Sequence, residues 1–239
     1  MWVSGWPAYA SVDTGGEYRF DGSKSKDTGK IVGRIWLVGA YERPTPLKVY
    51  KNRDFCGPWV ANESLLVSTD GGVQNTVVIL QPTERQARVQ PASVVLDNRN
   101  CAFTPHVQVA PLGSELRFKN SDPILHTVHA RLGNETLFNV GLPRWRQVIK
   151  SLTRSGIIKI HCDVLHTWMS AAIVVTQSPY YAVTDQQGRF VIERLPAGEH
   201  QIETWHERLG SKNQRILVVE NAPSSVEMVY RFNQKVQVM

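Results

Sequence analysis

The sequence predicts a largely β protein of sandwich type, and three observations carry that prediction. Short runs rich in β-branched and aromatic residues alternate at strand period. Gly, Pro, Asn and Asp punctuate them, as in sandwiches joined by tight turns. The 239 residues suffice for one large domain or two small ones with cores of their own.

Along the chain, residues 11–28 are polar, with Gly15-Gly16 and the stretch Asp21–Gly29, and the segment 1–28 reads as a flexible leader. Lys30–Val38 alternates as a strand. A proline-rich connection with Pro44, Pro46 and Pro58 follows, then the turn Asp70-Gly-Gly72 and the apolar strand Asn75–Leu80. Gln81–Gln90 is polar and basic and reads as a linker. Further strands are expected at Ala92–Leu96, His106–Val109, Glu115–Lys119, Leu125–Ala130, Ile157–Cys162 and Ala171–Thr176. Residues 144–154 fit a short helix or a loop equally. After Ser178-Pro179 comes a compact β unit. Asp185–Gly188 is expected to be a hairpin turn and Pro196–Gly198 a second turn, with closing strands at Leu217–Glu220 and Val226–Phe232.

The formal net charge of +6 is spread along the chain, with one concentration at Arg144, Arg146, Lys150, Arg154 and Lys159. No helix-turn-helix, zinc-finger or RNA-binding signature accompanies it, so no nucleic-acid partner is expected. A solvated basic face explains it, and docking to an acidic redox protein is the functional use it would suit. No run reaches the roughly 18–20 apolar residues of a membrane-spanning helix. Ala8-Tyr9-Ala10 before Ser11 matches the end of a secretory signal, and fits an ordinary exposed terminus as well.

The chemistry concentrates in Cys162-Asp-Val-Leu-His166-Thr-Trp-Met169, directly after the strand-like Gly156–His161. A thiolate, an imidazole and a thioether fall within one short loop. The pair His126-Thr-Val-His129 lies upstream. Two His nitrogens and a Cys sulfur with a weak axial Met are the ligand set of a blue-copper electron-transfer site. On a strand His126 and His129 face opposite sides, so only one can join the loop; His126 is chosen and His129 is the alternative. The other histidines, His106, His161 and His206, have no motif spacing. Of the three cysteines, Cys56 and Cys101 are left to pair as a disulfide if Cys162 holds metal, which suits an oxidising compartment. Two separate buried thiols are the other reading.

Residues 92–177 resemble a cupredoxin, on Gly113–Phe118 leading to Asn120-x-Asp122, then His126-Thr-Val, then Gly156 and Cys162 with its His and Met. The resemblance implies a Greek-key β-sandwich and one type 1 copper held by His126, Cys162, His166 and Met169. The tail, with Thr184-Asp-x-x-Gly188-x-Phe190 and Leu195-Pro-x-Gly198, resembles carboxypeptidase regulatory-like domains. Gly29-Lys-Ile-Val-Gly33-Arg-Ile matches that family's first strand. Together these imply a small sandwich of 29–82 and 178–232, with the cupredoxin of 89–177 inserted in or joined to it.

The expected function is therefore electron transport by an extracytoplasmic copper protein, periplasmic or extracellular, serving a cytochrome or another electron carrier. The alternative is a metal-free or copper-carrying sandwich acting as scaffold or delivery protein. A zinc or copper enzyme using His126, His129, Cys162 and His166 is not expected. The loop's only carboxylate, Asp163, points away, and no nucleophile elbow, P-loop or His-Glu-x-x-His motif is present.

Overall fold

The computed structural model describes residues 29–81 and 89–232. The expected leader, and all but the ends of the expected linker, lie outside the described residues. Strand β1 (Gly29–Val38) leads into a strap made of β2 (Leu47–Lys48), the helical turn α1 (Arg53–Cys56) and β3 (Trp59–Val60), and then into β4 (Val77–Gln81). A continuous block follows: β5 (Ser93–Arg99), β6 (Ala102–Thr104), β7 (Val107–Pro111), β8 (Glu115–Asn120), β9 (His126–Leu132), β10 (Glu135–Leu142), β11 (Gln147–Ser151), β12 (Gly156–His161) and β13 (Ser170–Thr176). The chain closes with β14 (Tyr181–Val183), β15 (Arg189–Leu195), β16 (Gly198–His206), β17 (Gly210–Val218) and β18 (Pro223–Arg231). The protein is all-β, and the segment 144–154 that fitted helix or loop contains strand β11.

The central block forms a sandwich of the sheets β10-β9-β12-β13-β7 and β11-β8-β5-β6. Its core includes Leu96, Phe118, Val128, Leu142 and Ile160. The parallel pairs β13 with β7 and β5 with β8 make it a crossed-over sandwich rather than a meander. The flanking strands form two further sheets, β15-β1-β18 and β14-β4-β16-β17, around Ile31, Ile35, Leu80, Ile202 and Tyr230. In β1, Gly33 lies opposite Phe190, and a Cβ on it would overlap that ring. A side chain there would push β1 off its neighbour.

A third apolar cluster joins the two halves. Val77 and Ile79 of β4 meet Val107, Val109, Ala172 and Val174 of β7 and β13. This explains why β4 and β13 read as unbroken apolar runs: alternate residues face a sandwich core and this shared seam, so both strand faces are dry. One expectation fails. Asp185–Gly188 is a tight turn, with the Gly188 N–H donating to the Asp185 carbonyl at 2.9 Å, but β14 and β15 do not pair as a hairpin. The turn carries the chain from one sheet to the other because each strand has a better partner, β4 and β1 respectively.

The strap leaves the smaller half and packs on the larger. Val49 is buried in the larger core, with Leu47, Cys56 and Val60 against it. Cys56 is disulfide-bonded to Cys101.

Candidate metal centre

Strand pairing delivers the donors to one end of the larger sandwich. His126 opens β9, opposite Leu142 of β10, and alternation along β9 turns His126 and Val128 inward while His129 stays half-buried on the outer face. Cys162 follows the last residue of β12, the neighbour of β9. The loop then bends back through Leu165, whose φ is 64°, and closes where the Met169 N–H donates to the His166 carbonyl at 2.9 Å. His126 and His166 are fully buried, and Cys162 and Met169 nearly so.

Three of the predicted site residues meet directly. The Nδ1 atoms of His126 and His166 lie 3.1 Å apart, and Cys162 Sγ is 3.9 Å from the first and 3.7 Å from the second. Among the described residues these form the one His, Cys, Asp and Glu grouping with convergent donor atoms. Met169 lies buried in the core cluster that contains Cys162 and Trp168. His129 is excluded from the group: Asp163 holds its Nδ1 at 2.8 Å and Thr136 its Nε2 at 2.9 Å, on the outer face. Asp163 points outward to His129 and Asn139.

The outer nitrogens decide what the inner ones can do. His126 Nε2–H donates to Asp122 Oδ2, and His166 Nε2–H donates to Asn52 Oδ1, both at 2.9 Å. A neutral imidazole with its proton on Nε2 presents a bare lone pair at Nδ1. When both imidazoles are neutral, two such lone pairs and the Cys162 sulfur converge in a dry site, an arrangement that a cation relieves, whether a metal ion or a proton held between nitrogen and sulfur. A metal bonded at ~2.0 Å to each nitrogen and ~2.3 Å to sulfur, at trigonal angles, spaces these atoms at about 3.5–3.7 Å. The observed spacings of 3.1, 3.7 and 3.9 Å fall within a few tenths of that. The residues fit a single soft-to-borderline metal ion.

Electrostatics agrees. Burial pushes the Cys162 thiol up, but the imidazoles of His126 and His166 and the backbone N–H groups of Thr127 and Val164 outweigh it and bring it down to about 5. The Thr127 N–H donates to Sγ at 3.3 Å. The lowering favours the thiolate, the form that ligates metals. Burial pulls His126 down, and the Asp122 carboxylate with the Cys162 thiolate raises it overall.

Sequence reasoning missed Asn52, which no local pattern marks. It quoted Asp122 as a motif residue without its role. Asn120 builds the loop: its Nδ2 donates to the Ile124 and Leu142 carbonyls at 2.8 and 2.9 Å, and its Oδ1 accepts the Asp122 N–H at 3.0 Å.

Among known proteins, no family model and no curated sequence matches the chain. Solved structures do. A purple cupredoxin from Nitrosopumilus maritimus is 19% identical, with 35% of this chain and 98% of that one covered at a TM-score of 0.31. A reduced-state proline-to-phenylalanine mutant of amicyanin is 16% identical, with 43% of this chain and 100% of that one covered at 0.32. A copper-containing nitrite reductase from Thermus scotoductus is 22% identical, with 40% of this chain and only 25% of that one covered at 0.33. At such identities and TM-scores the likeness is partial and adds no weight to the site, which stands on its own side chains.

Proposed function

We propose that the protein is an electron carrier holding one type 1 copper through His126, Cys162, His166 and the axial Met169. The observation that carries this reading is the convergence of two imidazole Nδ1 atoms and the Cys162 sulfur, each imidazole hydrogen-bonded from behind by Asp122 or Asn52. Copper bound there supplies a one-electron couple. The chain's own part is to hold the donors still. Two come from the edges of paired strands, the third from a closed turn, and Trp168 packs beside His166 with ring centroids 5.0 Å apart. A cage that moves little between charge states lowers the cost of exchanging an electron.

A delivery protein would present its ligands for exchange, whereas these are buried. A catalytic site needs an open position and a nearby acid or base; here Asp122 is committed to His126 and Asp163 faces outward. The reading therefore assigns electron transfer to a redox protein, with no chemistry on a small substrate. The disulfide supports an oxidising, periplasmic or extracellular setting. No helix among the described residues is long and apolar enough to cross a membrane. The proposed organisation is a cupredoxin unit of 89–177 within a second sandwich of 29–82 and 178–232, like a carboxypeptidase regulatory-like domain, with the strap of the latter lent to the former.

The test is titration of the purified protein with Cu(II), recording visible absorption and counting bound metal. An intense thiolate-to-copper band at roughly 600 nm with one copper per chain is the expected result. Bound zinc without the band, or no bound metal, overturns the proposal in favour of a scaffold.

A further inference from the structure

We infer that the Cys56–Cys101 disulfide anchors the metal site, with Asn52 as the positioning residue through which it fixes His166. The inference rests on the copper reading and adds to it the device that sets the ligand tautomers.

Contacts from both imidazoles lead to Cys101. Asp122 Oδ2, which accepts from His126 Nε2, also accepts the Cys101 N–H at 2.9 Å, and Asp122 Oδ1 accepts the Asn100 N–H at 2.7 Å. Trp168, packed beside His166, donates its indole N–H to the Cys101 carbonyl at 3.0 Å. The Cys101 sulfur is bonded to Cys56, whose N–H donates to the Asn52 carbonyl at 2.8 Å. Asn52 Oδ1 completes the circuit by accepting from His166 Nε2.

The backbone marks the same residues. Asn100 and Cys101 are the two central residues of the turn joining β5 to β6, with φ of 54° and 59°. Such a turn favours Asn followed by Gly. A cysteine in the left-handed region costs conformational energy that glycine would not. Asn52 is left-handed as well, with φ 57° and ψ 35°. The fold thus keeps a side chain at Cys101 where the backbone favours none, because that side chain ties the strap to the metal end.

Beside the burial of Val49, the disulfide is the covalent tie that holds Asn52 over His166, 114 residues away in sequence; without it the strap keeps only its packing. His166 could then place its proton on Nδ1 and lose the lone pair that faces the metal.

The test compares five forms of the full-length protein: unaltered, Asn52→Gly, Asn52→Asp, the pair Cys56→Ser with Cys101→Ser, and that pair combined with Asn52→Gly. Glycine accepts the left-handed backbone and removes the acceptor; aspartate keeps it. Two readouts are taken: the imidazole tautomer of His166 by heteronuclear NMR in metal-free protein, and copper affinity. The unaltered protein is expected to carry the proton on Nε2. Asn52→Gly should shift the tautomer and weaken copper by roughly 10–100-fold, the usual loss for a partner behind a ligand. Asn52→Asp should restore both. The disulfide variant should lose a similar factor, and adding Asn52→Gly to it should cost nothing more, because the two act through one path. An unchanged tautomer in Asn52→Gly, or losses that multiply, overturns the inference. Because the disulfide variant also loses stability, if it does not fold the disulfide is instead reduced in the folded metal-free protein and the His166 tautomer read again; an unchanged tautomer there overturns the anchoring role, while the Asn52 pair decides the positioning role. A protein that shows the tautomer change but takes up no copper overturns the copper reading and sustains the positioning role.

Discussion

Two buried histidine pairs occupy this molecule and do opposite things. At the metal end, His126 and His166 turn their Nδ1 atoms toward each other and toward Cys162. At the seam between the sandwiches, His106 and His206 turn away into bonds already filled. His106 Nδ1 donates to the Ser170 carbonyl at 3.0 Å while Nε2 meets the Glu207 carboxylate, and His206 Nδ1 accepts the Arg208 N–H at 3.1 Å. The first pair aims its Nδ1 atoms at one another and at a sulfur; the second has both nitrogens of His106 and Nδ1 of His206 taken by partners outside any such group. Neighbours make a ligand, and residue type alone does not.

The sharpest way to break the comparison is Cys162→Ser. In copper-loaded protein it should abolish the visible band completely, whereas His106→Ala should leave the band at full strength, both read by absorption spectroscopy. Colour retained in Cys162→Ser would sink the ligand assignment.

The seam should show itself through pH instead. Burial pushes His206 down to about 4 from an ordinary 6.5. The folded protein keeps this imidazole neutral while the unfolded chain takes up a proton. Its contribution to stability is therefore full above pH 6.5 and is lost as pH falls toward 4, by up to about 3 kcal/mol. Denaturant unfolding across that range should show the loss, and His206→Asn should flatten it.

His106 runs the other way. Burial lowers it, but the Glu207 carboxylate outweighs burial and raises it above 6.5. Its pairing stabilises fully below that value and fades as pH rises through the raised one. Glu207→Gln should cost about 2 kcal/mol on the acid side, the size of a hydrogen bond to a charged group, and less on the alkaline side. The copper band should not change. The smallest effect is expected at Met169, the proposed axial ligand: Met169→Leu should keep the colour and raise the reduction potential, measured by redox titration.

Much of the candidate site was legible because its information is local. Cys162, His166 and Met169 share one loop, and the period of β9 separates His126 from His129 whatever surrounds the strand. The missed hairpin at Asp185–Gly188 failed for the complementary reason. A turn signal says that the chain reverses, but which strands then pair depends on competitors such as β1 and β4, far away in sequence. His106 carried no motif because its partner, Glu207, lies 101 residues on.

The sequence by itself determined the all-β character, the donor types, the apolar run that became β4 and the strand that became β13, since each follows from side-chain chemistry at short period. Only the tertiary structure decided that Asn52 crosses from the other half to hold His166, that Asp122 faces His126, and that Cys101 takes a left-handed turn position beneath both. These are contacts between segments whose approach is fixed by core packing and sheet pairing. No local pattern encodes such an approach, because its energy comes from burying distant apolar surfaces against one another.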